Sequence, residues 1–108
     1  MQTLRVFAAC AGLAAGASAK AQELGDANMG LRYAERNCVE CHAVTPGETL
    51  SPNLDAPPFV AVANTPGMTA TALAVWFRTP HPTMPNLLIE GEDKDNIIAY
   101  ILSLKRKD

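Results

Sequence analysis

Prolines decide where this chain can form regular structure. Pro46, Pro52, Pro57 and Pro58 fall within residues 43–58, and Pro80, Pro82 and Pro85 fall within residues 79–89. Each proline removes a backbone donor, and the residue before it avoids the helical region, so neither stretch can continue a helix or lie inside a sheet. Regular structure is confined to the segments between. Residues 26–37 place Met29, Tyr33 and Ala34 at helical spacing, with Arg32, Glu35 and Arg36 on the other side. Residues 69–78 begin at Thr69, a natural N-cap after Pro66-Gly67, and carry the stripe Leu73, Trp76, Phe77. Residues 92–105 carry Glu92 and Asp93 at the end that favours acids and Lys105 at the end that favours cations. In that segment Ile97, Tyr100, Ile101 and Leu104 share a face. A short helical turn is expected over 59–63, and no segment alternates as a strand does. The expectation is an all-α fold of three core helices joined by long loops. Such helices enclose little core by themselves, and loops this long in a small domain need something to wrap; a large apolar group at the centre would supply it.

The N-terminal segment reads as an address rather than as structure. Arg5 is followed by an uncharged run from Val6 to Ala19, and small residues stand at Ala17-Ser18-Ala19 and Ala19-Lys20-Ala21. This is the pattern of a secretory signal cleaved after Ala19 or Ala21, and the apolar run is shorter than the roughly 20 residues of a spanning helix. Residues 1–21 are therefore read as the signal and 22–108 as one domain outside the cytoplasmic membrane, the periplasm of a bacterium. Cys10 leaves with the signal. Of the 108 residues, 9 are Lys or Arg and 11 Asp or Glu, a net charge of −2 that cleavage makes more negative. That balance gives no footprint for nucleic acid, and once the signal is removed nothing is expected to insert stably in a membrane.

The two remaining cysteines stand in Cys38-Val39-Glu40-Cys41-His42. Cys-x-x-Cys-His is the attachment signature of c-type haem. Two thiols at this spacing on one turn reach the two vinyl groups along one porphyrin edge, and the histidine that follows can place a ring nitrogen on iron. A redox dithiol would want a strand-helix-strand context, and a structural zinc site would want four ligands. The second axial ligand is expected from Met84 in Pro82-Thr83-Met84-Pro85, a soft thioether suited to iron opposite histidine. His81 is its competitor on the same loop, and Met29 and Met68 are read as packing residues.

With these residues in place the chain resembles a class I c-type cytochrome of the short bacterial periplasmic monohaem kind, over about residues 25–104. Gly30 and Tyr33 precede the cysteine motif, Ser51-Pro52-Asn53-Leu54 resembles the family's Gly-Pro-Asn-Leu stretch, 73–80 resembles the helix entering the methionine loop, and 97–101 resembles the terminal helix. The resemblance implies the small cytochrome c fold around one covalent haem c. It implies that Tyr100 packs on Gly30 where the first and last helices cross, that the Pro52 carbonyl accepts a hydrogen bond from His42, and that Trp76 forms part of the haem wall.

The function this implies is one-electron transfer between redox partner proteins, such as a dehydrogenase and a terminal oxidase, by a monomer that is not itself an enzyme. The alternative is a five-coordinate haem protein that binds small ligands or has weak peroxidase activity, should Met84 not bind. Arg78 is the one cation between Asn37 and Asp93. Docking is therefore expected through a small apolar patch of Val39, Ala43, Val44 and the loop through Leu87 and Leu88, and to depend only weakly on salt.

Overall fold

The computed structural model describes residues 25–79, 84 and 89–107. The expected signal, His81 and the leucines at 87 and 88 lie outside them. The described residues are helical: α1 (Ala27–Asn37), α2 (Phe59–Ala63), α3 (Ala70–Arg78) and α4 (Gly91–Ser103), with no strand among them.

Local chemistry sets the boundaries. The Asp26 side chain accepts from the Asn28 and Met29 amides at 2.8 and 3.2 Å, which satisfies two donors that the first turn of α1 leaves without partners. Thr69 does the same for α3, its Oγ accepting from the Ala72 amide at 3.1 Å. The helix α2 starts directly after Pro58, whose extended backbone (ψ 146°) turns the chain into it. Glu92 and Asp93 occupy the first turn of α4, where their charge offsets the positive end of the helix.

The organising element is α4. Each of α1, α2 and α3 packs against α4, and none of the three packs against another. The tightest of these contacts is the crossing of α1 and α4. A Cβ at Gly30 would lie 2.0 Å from the Asn96 carbonyl oxygen and 2.7 Å from the Tyr100 Cβ, so only a glycine lets the two backbones meet. Tyr100 does pack on Gly30. The Asn96 side chain, buried in this seam, accepts the Asp26 amide at 2.8 Å and fixes the start of α1 on α4. This close approach also selects the buried face of α1. Gly30 and Ala34 are buried, while Met29, expected to pack, is 45% exposed because the small residues and not the large one meet α4. At the far end of α4, the Asn64 amide group donates to the Leu104 carbonyl at 3.2 Å and accepts from the Arg106 amide at 2.8 Å, tying α2 to the chain end.

Candidate cofactor site

Because α1, α2 and α3 meet α4 and not each other, they stand around a gap. The gap is a cavity of about 270 Å³. Its walls are apolar: Phe59 and Val62 from α2, Leu73, Trp76 and Phe77 from α3, Ile97 and Ile101 from α4, and Ile89 just before α4. Along one side stand Cys38, Cys41 and His42; Met84 also borders it. Thus five of the six residues singled out in the sequence line one cavity: Cys38, Cys41, His42, Trp76 and Met84. Trp76 is 56% exposed, a large ring at the open side of that cavity.

The motif is positioned by the end of α1. Cys38 caps the helix, its amide donating to the Ala34 carbonyl at 2.8 Å. The Cys38 carbonyl then accepts from the amides of Cys41 at 3.3 Å and His42 at 2.9 Å, a turn that brings all three side chains to the cavity. Both cysteines are free thiols. Burial pushes the Cys38 thiol up to about 11, so it is protonated at neutral pH. A nucleophilic dithiol needs the opposite shift, toward the thiolate.

His42 stands in a bracket built by the following loop. Its Nδ1 lies 2.7 Å from the Pro57 carbonyl oxygen. A carbonyl can only accept, so Nδ1 carries a proton, and in the neutral ring this tautomer leaves the lone pair on Nε2. The ring also packs against Phe59, centroids 5.1 Å apart and planes at 50°. The partner expected here, Pro52, is corrected to Pro57. Pro52 is exposed and does not line the cavity. The reason is the path of the loop. The Asn53 amide donates to the Cys41 carbonyl at 3.1 Å, and the Ala56 amide to the Asn53 carbonyl at 3.0 Å, closing a turn that carries the chain past Pro52 and brings Pro57 to the ring. Pro57-Pro58 was the available signal, since a carbonyl before proline is held in extended geometry with no neighbouring amide to compete for it.

Two apolar residues next to the motif also differ from expectation. Ala43 and Val44 are 2% and 1% exposed, so they belong to the core and not to a docking patch. Of the residues named for that patch and described, Val39 is exposed; the carboxylates Glu40 and Asp55 line the cavity beside it.

Among the described residues, no group of three or more His, Cys, Asp or Glu side chains could hold a metal ion, and no helix is long and apolar enough to cross a membrane. Comparison with protein families, curated proteins and solved structures finds no match for this chain.

Proposed function

We propose that this chain is an exported one-electron carrier of the class I cytochrome c type, built around one haem c. The observation that carries the reading is the hydrogen bond from His42 Nδ1 to Pro57, which leaves Nε2 as the free ligand nitrogen of a residue lining the same apolar cavity as Cys38 and Cys41. The residues fit the group. Cys38 and Cys41 supply two thiols at the spacing of the vinyl substituents, and the S–H of each would add across one vinyl double bond to leave a thioether. His42 and Met84 supply a nitrogen and a sulfur, and a porphyrin brings four nitrogens of its own, so no cluster of three protein ligands is required. The apolar walls from α2, α3 and α4 exclude water and favour a high potential.

The haem would supply reversible one-electron exchange at its iron. The chain's part is to hold it and to close off other chemistry. The Pro57 carbonyl orients the His42 ring and strengthens it as a donor. Were His42 and Met84 both to bind the iron, no coordination site would remain for a substrate, which suits a carrier between redox partner proteins rather than an enzyme. Export to the periplasm accords with the segment 1–21.

A visible and near-infrared spectrum of the exported, oxidised protein, with carbon monoxide added to the reduced form, tests this. The reading predicts a six-coordinate haem spectrum with a sulfur-to-iron band and no rapid carbon monoxide adduct. Rapid carbon monoxide binding would instead favour the five-coordinate, ligand-binding alternative, and a protein without haem absorption would sink both.

A further inference from the structure

We propose that Ser51 is a positioning residue for His42, acting through the peptide that joins His42 to Ala43; its consequence for the iron ligand rests on the haem reading above. Ser51 is 5% exposed, one of two polar side chains buried among the described residues. Its Oγ accepts the Ala43 amide at 3.0 Å. That amide belongs to the peptide unit whose carbonyl is His42's own, so the direction in which it points sets the backbone torsion from which the imidazole hangs. The same short segment is held from two other sides. The Ala43 carbonyl accepts the Phe59 amide at 2.9 Å, and the Val44 carbonyl accepts the Tyr100 hydroxyl. Those two bonds keep the segment in place. Ser51 alone of the three grips the peptide unit of His42 itself.

Pro57 holds ring nitrogen Nδ1, the Cys38 carbonyl holds the His42 amide, and Ser51 holds the peptide on the carbonyl side of His42. Without Ser51 that last peptide is free to turn, and the direction of Nε2 changes with it. The stretch Ser51-Pro52-Asn53-Leu54 resembles one that begins with glycine, and glycine has no side-chain acceptor. In this chain the serine is what satisfies a buried amide that would otherwise have no partner.

The test uses the haem-loaded protein and compares Ser51→Ala, Ser51→Gly and Ser51→Thr with the wild type. Asn64→Ala serves as a stability control, since it removes three hydrogen bonds away from the motif, two of them part-buried. Three readouts are taken: amide exchange at Ala43, the hyperfine-shifted ring signals of His42 in the oxidised protein, and the reduction potential. Loss of the Ser51 bond should speed Ala43 exchange by roughly tenfold to a hundredfold. It should shift the His42 ring signals, and raise the potential because a less firmly held imidazole donates less to ferric iron. Ser51→Thr, which keeps the hydroxyl, should restore all three, and Asn64→Ala should lower the melting temperature while leaving all three unchanged. If Ser51→Ala and Ser51→Gly lowered the melting temperature as Asn64→Ala does, with His42 signals and potential as in the wild type, Ser51 would be a packing residue and the proposal would fail. Should Ser51→Thr not fold, the alanine and glycine variants against Asn64→Ala still decide. Failure of the haem reading is distinguishable, because the wild-type protein would then carry no haem, and Ala43 exchange would still report on Ser51.

Discussion

The two sides of α4 are finished to different degrees. On one side, α1 crosses α4 so closely that the Gly30 and Asn96 backbones touch, with Tyr100 packed beside them and Asn96 buried and hydrogen-bonded to Asp26. Nothing could be added there. On the other side, α2 and α3 each reach α4 but not one another, and a cavity of about 270 Å³ with mainly apolar walls lies beside them, Glu40 and Asp55 on its lining. The first region is complete as protein. The second carries the free thiols of Cys38 and Cys41 and the His42 imidazole along its edge. Two glycines make the seam this close, since a Cβ at Gly25 would likewise lie 2.0 Å from the Asp95 carbonyl oxygen.

The largest effect is expected at the seam. Gly30→Ala places a methyl group against the Asn96 carbonyl, a backbone atom that can yield only by separating α1 from α4. A loss of about 3 kcal/mol is expected in denaturant unfolding, at the upper end for overpacked sites. A loss well under 1 kcal/mol would show that the crossing is looser than described. On the cavity side the corresponding substitution is Met84→Ala. It should leave the fold in place, lower the reduction potential and let carbon monoxide bind the reduced protein, whereas His81→Ala should change neither. The reverse pattern would make His81 the ligand.

Much of the seam could be read from the sequence because its signals are local or periodic. Thr69 is a cap with a mechanism, the prolines bound the helices, and Ile97, Tyr100 and Ile101 fall on one face. The resemblance added the pairing of Tyr100 with Gly30. The choice between faces of α1 was not readable: Met29 and Gly30 are adjacent, and which is buried depends on how near α4 comes. The cavity side was legible in its chemistry and not in its connections. Cys38, Cys41, His42 and Met84, named from the motif and the loop, and Trp76, named from the resemblance, all border one cavity. Pro57 was missed because a hydrogen-bond partner across a proline-rich loop depends on the loop's path, and the turn from Asn53 to Ala56 moves that partner past Pro52. Ser51 and Tyr100 reach the segment after His42 from 8 and 56 residues away, and neither distance leaves a mark in the sequence. Ala43 and Val44 are buried because of those bonds, and so an apolar pair beside the motif proved to be core.

The smallest effect concerns the bond from the Tyr100 hydroxyl, on the seam, to the Val44 carbonyl beside the motif. Tyr100→Phe should cost about 1 kcal/mol at neutral pH. Burial holds the Tyr100 hydroxyl above its ordinary value of 10.0. The folded protein thus keeps a proton that the unfolded chain releases near pH 10, and the stability of the wild type falls as pH rises through that range toward the folded value. The Phe variant lacks this component, so the gap between the two should narrow above pH 10. Urea unfolding of both proteins at neutral and alkaline pH measures it, and a gap that stayed constant or widened would mean that the hydroxyl ionises as freely in the fold as out of it.

On the proposed reading, a haem bonded to Cys38 and Cys41 closes the open side of α4. The mass of the exported protein, produced in cells with haem-attachment machinery and measured after denaturation, tests it directly. The account predicts a polypeptide that ends its signal after Ala19 or Ala21 and retains one haem through denaturation, with no free thiol left to alkylate. A bare polypeptide mass with Cys38 and Cys41 both alkylated would contradict it.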